Sequence, residues 1–336
     1  MYLVVCQNKE NRVNYIVFDL EWNQASDLRT RRANSLLFEI IEIGAVKLNE
    51  KREQIDDFHE LIRPQVFQTM NQVTGDLIHL KMEQLADCRS FPDVAADFVR
   101  WCGRECIFCT WGNLDLTELQ KNMDYYNMTP LSERTLRYYD VQKLFSIAFE
   151  DRKSRRTLQY AVEFLHIEKD VAFHRAHADA YYTAEILKRI KDGSVFQNYS
   201  FDTYRLPRNQ SEEIRICFED YSKYISRKFP DKAAAMEDRE VISTQCFICG
   251  ARTRKKISWF TNNGKHYYTV VSCARHGAIK GKIRLRRAED SSIYVVKTMK
   301  QIGPDMVQDI LEMKNQIRKN RKERRHKKEG VKGHFT

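Results

Sequence analysis

The alternation of apolar and polar positions predicts a string of strands and helices, followed by a stretch of different character. Residues 14–22, NYIVFDLEW, form an apolar run ending in two carboxylates, the pattern of a buried central strand. SLLFEIIEIGAVKL (35–48) is a second β-rich run, and QIDDFHELIRP (54–64) alternates as a third, with the turn-forming NEKRE (49–53) between them. Ser90 is placed to cap a helix that has Pro92 in its first turn and runs through VAADFVRWC. CIFCTW (106–111) reads as a short buried strand, and 115–126 as a helix with Leu116, Leu119 and Met123 on one face. A further strand ends near Asp140, and Thr157 opens the helix LQYAVEFLH. A last helix spans roughly 177–191, with Ala180, Ala184, Leu187 and Ile190 near helical spacing. Three strands followed by alternating helices and strands imply an α/β domain with a mixed β-sheet flanked by helices.

The pattern changes after Lys191-Asp192-Gly193-Ser194. Residues 195–242 are polar and aromatic, and SEEIRICFEDYSKYI (211–225) reads as a short helix in a connecting segment. Residues 243–288 contain eleven Lys or Arg and no Asp or Glu, with SWFTNNGKHYYTVVS as a hairpin turning at Asn263-Gly264. From about 304 a helix runs into KNQIRKNRKERRHKK (314–328), with nine Lys or Arg and one acid. The predicted organisation is therefore a domain over 12–194, a helical connection over 195–242 and a small basic β module over 243–290. A basic tail over 291–336, partly helical or disordered, completes it. No internal repeat at a solenoid period is present.

With 336 residues and 42% hydrophobic content, the chain can bury a sizeable core plus a smaller module. Its net charge of +11 suits a polyanionic partner, nucleic acid or an acidic membrane surface. No run approaches the ~18 apolar residues of a membrane span. The N-terminal MYLVVCQNKENR lacks the basic start and cleavage site of a signal peptide, so a cytoplasmic location is expected. Nine cysteines, odd in number and unevenly spread, argue against a secreted disulfide framework. Cys102, Cys106 and Cys109 read as small buried residues of a helix end and the next strand.

Candidate chemistry starts at Asp19 and Glu21. Two apart on a strand, they project from one face, and two buried acids there are unfavourable unless a cation or basic partner neutralises them. An exposed strand end is the equal alternative for this pair alone. Asp115, in TWGNLD at a strand–helix junction, could serve as a helix N-terminal carboxylate favoured by the dipole. In HRAHADA (174–180), His174 precedes Asp179 by five, and Asp179 lies in the first turn of a helix whose alanines allow close approach to the sheet. His177 reads as an ordinary surface or packing residue.

In order and spacing these pieces resemble the DEDDh 3′–5′ exonucleases of the ribonuclease-H-like superfamily, over about residues 14–191. FDLEW (18–22) is similar to the first motif, GNLDLTEL (112–119) to the second and HRAHADAYYTAEIL (174–187) to the third. EIIEIGAVKL (39–48) is similar in style to the branch containing exoribonucleases that restrain RNA interference and KapD-like proteins. The resemblance implies that Asp19, Glu21, Asp115 and Asp179 ligate two Mg²⁺ or Mn²⁺ ions ~4 Å apart, with His174 as general base. A histidine suits that role because imidazole titrates near neutrality. The implied products are nucleoside 5′-monophosphates released from single-stranded 3′ ends, with RNA favoured by the resemblance alone. Where many relatives carry Thr or Ser after the first-motif glutamate, this chain has Trp22-Asn23. These two stand near the expected terminal nucleotide, with Trp22 as a stacking or, more simply, a core residue.

Cys246-x-x-Cys249 and Cys273-x-x-His276, with twenty-three residues between them, have the spacing of zinc knuckles in a zinc-ribbon-like module. Four ligands close the coordination sphere, so one structural Zn²⁺ is expected. Arg252, Arg254, Lys255 and Lys256, followed by Trp259, Phe260, Tyr267 and Tyr268, suit a surface that grips phosphates. The aromatics could equally be hairpin core. A rival from another class is a non-catalytic binding or regulatory protein on the same fold, such as KapD-like control of a signalling kinase. A retired site usually loses ligands, and all five positions are present here.

Overall fold

The computed structural model describes residues 13–26, 35–261 and 263–332, with side chains through residue 323. The N-terminal stretch 1–12, read above for a signal peptide, lies outside the described residues. The chain divides into two compact units, one up to Arg205 and one from Leu206.

In the first unit the expected strands form: β1 (Asn14–Gln24), β2 (Phe38–Leu48) and β3 (Gln54–Arg63). Two short helices follow, α1 (Gln72–Ile78) and α2 (Met82–Leu85), and then β4 (Arg89–Ser90). Helix α3 (Phe91–Cys102) leads to β5 (Cys106–Thr110), α4 (Asp115–Tyr125), β6 (Arg137–Asp140) and α5 (Val141–Phe149). Helices α6 (Leu158–Phe164) and α7 (Ala176–Arg189) come next, and β7 (Ser200–Phe201) ends the unit. The sheet order is β4-β3-β2-β1-β5-β6-β7, with β1 antiparallel to β2 and parallel to β5. This is the mixed sheet flanked by helices that the pattern implied.

Side-chain alternation along β1 sorts the two helical layers. Ile16, Phe18 and Leu20 pack on one side with Phe91, Val94 and Phe98 of α3 and Leu116 and Leu119 of α4. Val17 faces the other side with Leu144 and Phe145 of α5, Val162 of α6 and Tyr182 and Ile186 of α7. Asp19 and Glu21 continue that second face, where the apolar residues run out.

The first unit extends past the expected end at residue 194. A 3₁₀ turn over Gly193–Gln197 leads into β7, which pairs with β6, and the segment beyond is tied back to α4. Gln120 donates to Asp202 at 2.9 Å and the Tyr204 hydroxyl donates to Asp124 at 2.7 Å.

The second unit corrects two expectations. Residues 214–225 are a strand pair, β8 (Ile214–Cys217) and β9 (Tyr221–Ile225), not a connecting helix. Ile214 and Ile216, two apart in IRIC, fit a pleated surface, and pairing of YSKYI with β8 and with residues 296–300 outweighs the helical reading. The short helices α8 (Lys232–Glu237) and α9 (Arg239–Ile242) follow. The expected hairpin then forms as β10 (Arg254–Thr261) and β11 (His266–Cys273), turning at Gly264 with φ +69°. The module does not stop at residue 290, because β12 (Gly277–Arg287) pairs with β13 (Ile293–Gln301) from the supposed tail. Val295, Lys297 and Met299 of β13 are buried at alternate positions. The sheet order is β10-β11-β12-β13-β9-β8, and helix α10 (Pro304–Lys332) ends the described chain. Among the described residues no helix is long and apolar enough to cross a membrane.

Candidate active site and cysteine–histidine centre

Strand register builds the first site. Asp19 lies opposite Gly44 and Glu21 opposite Glu42, so all four share one face of the sheet. The pairing register shifts between Glu21 and Trp22, a bulge of the kind that re-aims side chains beside functional sites. Helix α7 reaches this face because Gly44 has no side chain. A Cβ there would stand 2.0 Å from the His177 backbone nitrogen and 2.2 Å from the Ala176 carbonyl carbon. That approach brings Asp179 into the site: Asp19, Glu21 and Asp179 offer carboxylate oxygens all within 4.8 Å of one another.

Asp115 stands outside this triad. It begins α4, which packs on the opposite face of the sheet, and it reaches the strand end where β1 runs on beyond the residues paired with β5. Its carboxylate is buried and accepts backbone hydrogen bonds from Leu20 and from its own amide. Its charge acts strongly on Asp19.

The four acids hold protons far more tightly than ordinary carboxylates. Burial pushes Asp19 well up, reinforced by Asp115, Asp179 and Glu21. Burial and then Asp179 raise Glu21 to about 8. Burial raises Asp115 to about 7 against its backbone hydrogen bonds, and raises Asp179 to about 6 against one from the His174 backbone. At ~5 Å, two ionised carboxylates repel by on the order of 3 kcal/mol at an effective dielectric of ~20. Either protons or cations must relieve that repulsion. Asp179 Oδ1 is buried with no partner among the described residues, the state of an oxygen left for a metal. The all-oxygen donor set fits hard divalent cations such as Mg²⁺ or Mn²⁺.

His174 is exposed, on the turn entering α7, with φ +65°, an uncommon conformation for a side chain-bearing residue. Its backbone secures Asp179, so the turn that presents the imidazole also positions the acid.

Three positioning residues were not singled out in the sequence: Glu42, Arg175 and Gly44. Glu42 is fully buried beside Glu21, yet burial, which pushes its carboxyl up, is outweighed by hydrogen bonds from His59 and Arg175. His59 Nε2 lies 2.8 Å from Glu42 and Arg175 Nε donates at 3.0 Å. Arg175 thus staples the residue next to His174 onto β2. The signal available was an acid and a glycine two apart in EIIEIGAV, opposite the strand of Asp19 and Glu21. His177, read as ordinary, lies tilted against His59, with ring centroids 5.3 Å apart, and sits 3.4 Å from Asp57.

The reading of Asn23 as a nucleic-acid contact is corrected. Asn23 is fully buried, donates to the Thr69 carbonyl at 2.9 Å and accepts from the Asn71 amide at 2.9 Å. Its side chain is spent on pinning the loop over 67–71, and Glu39 holds the start of that loop through the Val66 and Phe67 amides. Trp22 is half-buried against Phe38, with ring centroids 5.5 Å apart, which matches its simpler reading as a core residue. Arg252, Arg254, Lys255 and Lys256 are exposed, three of them at the start of edge strand β10.

In the second unit Cys246, Cys249, Cys273 and His276 converge. Cys249 and Cys273 sulfurs are 3.7 Å apart, and His276 Nδ1 is 3.4 Å from Cys246 Sγ and 3.6 Å from Cys273 Sγ. A tetrahedral zinc ion with its usual bond lengths sets sulfur–sulfur edges of ~3.8 Å and sulfur–nitrogen edges of ~3.6 Å, so the donor set fits Zn²⁺. Each knuckle ends on a glycine in the left-handed region, Gly250 at φ +69° and Gly277 at φ +72°. Backbone hydrogen bonds from Arg275 and His276 draw the Cys273 thiol down to about 6, favouring the thiolate a metal requires.

Comparison with known proteins bears on the first unit. Among solved structures, the chain is similar to a 3′-exonuclease described for 3′-end specific recognition of a histone mRNA stem-loop: 19% identity, TM-score 0.46, covering 55% of this chain and 65% of that one. The nuclease domain of 3'hExo, a DEDDh family member bound to rAMP, is 18% identical with a TM-score of 0.45, covering 54% of this chain and 93% of that one. Pop2p of S. pombe, in a Mg²⁺ and Mn²⁺ bound form, is 18% identical with a TM-score of 0.41, covering 53% and 82%. No curated protein sequence matches the chain. The family model described as Exonuclease matches residues 16–187, a span that contains every carboxylate of the site and His174. On that match, which takes in half of the chain, this protein belongs to the Exonuclease family.

Proposed function

We propose that the chain is a metal-dependent 3′–5′ exonuclease acting on single-stranded nucleic acid, with RNA as the first substrate to test. The observation that carries this reading is the convergence of Asp19, Glu21 and Asp179 within 4.8 Å, with Asp179 Oδ1 unpartnered among the described residues. Asp19, Glu21, Asp115 and Asp179 would hold two divalent cations. When bound, such cations neutralise developing charge and make water a stronger nucleophile at neutral pH. The protein's own part is positional. Gly44 seats α7, Arg175 fixes the turn before it, and the exposed His174 imidazole accepts the proton of the attacking water. The products would be nucleoside 5′-monophosphates.

The same reading assigns Cys246, Cys249, Cys273 and His276 to one structural Zn²⁺. It assigns Arg252, Arg254, Lys255 and Lys256 to contacts with the substrate backbone, which their exposure on an acid-free stretch supports.

The test compares single-stranded RNA, structured RNA and single-stranded DNA, each labelled at the 5′ end, with Mg²⁺ or Mn²⁺. The expected result is stepwise shortening from the 3′ end, lost by at least ~10³-fold in Asp19→Asn and by ~10²–10⁴-fold in His174→Asn. Full activity in Asp19→Asn, or loss of label from the 5′ end, would overturn it.

A further inference from the structure

Strand β12, AIKGKIRLRR, alternates basic and apolar residues, and the sheet of the second unit uses the two sets differently. Ile279, Gly281 and Ile283 face a packed side with Val295, Met299 and Val271. Gly281 is required there, since a Cβ would stand 2.6 Å from Thr269 Cγ2 and 2.8 Å from Trp259. Lys280, Lys282, Arg284 and Arg286 therefore line the opposite face, and none of the four is fully buried. Lys282 pairs across with Tyr268 and Thr298, Arg284 with His266 and Val296, and Arg286 with Tyr294, so these side chains share that face.

Helix α10 covers only one side of it. Val307 and Ile310 pack with Ile257, Phe260, Val270 and Ala278, and Arg321 donates to the Thr261 carbonyl at 2.6 Å, so the helix crosses from the Ala278 end of β12 over β11 to β10. Beyond Ala278, β12 and its pairing with β13 carry the basic ladder past this apolar contact. The charges acting most strongly on Lys282 are Arg284, Lys280 and Arg286, all of its own sign. Of the acids in the neighbouring loops, Asp220 pairs with Lys300, which lies opposite Lys280 at one end of this face, and Asp290 pairs with Lys228, each at 2.7 Å. Tyr268 has the ammonium groups of Lys280 and Lys282 at 5.8 and 5.6 Å from its ring centroid.

We propose that this face of β11–β13 is a binding platform for single-stranded nucleic acid, with Lys282, Arg284 and Arg286 on successive phosphates and Tyr268 stacking a base. Alternate residues of a strand place a cation roughly every 7 Å. That is about twice the ~3.4 Å axial rise per nucleotide of a duplex strand, so the ladder suits an extended single strand. Aromatic rings among the cations distinguish the face from a plain polyanion patch, because bases stack and lipid headgroups do not. The platform is distinct from Arg252–Lys256 on the edge strand. It rests on the reading of the chain as a nucleic-acid enzyme and adds where the substrate is held.

The experiment measures fluorescence anisotropy of a labelled 20-nucleotide oligo(U) with the full chain, across a salt titration and without added divalent metal. Lys282→Gln/Arg284→Gln/Arg286→Gln is expected to weaken binding at least tenfold and to lower the slope of log K against log salt by about 2, at ~0.7 per phosphate contact on single strands. Tyr268→Leu is expected to weaken it about fivefold with the salt slope unchanged. If the triple variant melts early, Arg286→Gln alone, at the exposed end, should still remove ~0.7 of the slope. Wild-type affinity and slope in the charge variants would overturn the proposal. So would unchanged oligo(U) binding in Tyr268→Leu together with competition by phosphatidylserine vesicles, which would mark a general anionic or membrane surface. Binding that behaves as expected while the wild type cuts nothing in Mg²⁺ would count against the proposed hydrolysis and leave the platform standing.

Discussion

Glu21, Asp115 and Asp179 carry the sharpest prediction at the scale of single residues. Their folded-state carboxyls titrate at about 8, 7 and 6, all above the ~4 of an unfolded chain. The folded protein therefore binds protons that the unfolded chain has released, so these groups contribute stability below about pH 4 that is lost as pH rises through 6 to 8. Without metal, the first unit should melt at progressively lower temperature between pH 5 and pH 8.5. Mn²⁺ must displace those protons, so its stabilising effect should be larger at pH 8 than at pH 6. Scanning calorimetry at several pH values, with and without Mn²⁺, measures both slopes, and a metal effect independent of pH would contradict the assignment. Asn23 teaches the converse lesson. Next to Trp22 it looked like a substrate contact, but its complete burial and its bonds to the 69–71 backbone make it a fastener.

Helix α7 decides whether the carboxylates meet. Its first turn rests on Gly44, and Arg175 just before it is bonded to buried Glu42. In Gly44→Ala the new methyl would collide with helix backbone, which cannot swing aside as a side chain tip can. The expected loss is ~3 kcal/mol or more, with the helix pushed outward and Asp179 withdrawn from the triad. A gentler probe is Arg175→Gln, which keeps a donor but removes the charge. Its expected signature is a rise in the Mn²⁺ concentration needed for half-maximal hydrolysis, while the melting temperature falls by less than in Gly44→Ala. Unchanged metal dependence in Arg175→Gln would reduce that residue to a packing role.

For the whole molecule, each of the two units has its own sheet and core. A module of 243–290 alone would lean on zinc for most of its folding energy, but the observed unit adds β8, β9, β13 and α10, with apolar clusters around Ile283, Val295 and Ile310. A zinc ion bound there would therefore reinforce a sheet that has a core of its own. Cys273→Ser should release about one zinc per chain and lower the melting temperature of the second unit by ~10 °C or more, the shift expected for ~2 kcal/mol in a domain of this size. It should leave the Mn²⁺-dependent stabilisation of the first unit in place. Zinc assay and calorimetry test both, and a variant that keeps its zinc would refute the ligand set.

What local pattern determined was considerable. The apolar run before Asp19, the cap and proline at Ser90-Phe91-Pro92, the Asn263-Gly264 turn and the two knuckles each depend on near neighbours in the chain. The sequence alone therefore predicted the mixed sheet, the five candidate residues of the first site and the four of the second. The tertiary structure decided what depends on pairing between distant segments. Residues 214–225 become strands because β13 lies beside them, and residues 291–303 leave the tail for the same reason. Gly44 and Glu42 acquire their roles only when β2 registers against β1 with α7 above it. The basic ladder of β12 was present in the sequence, but its availability was not. Which face of a strand is covered is settled by what packs on it, and here the packed layers of β12 lie against the apolar set.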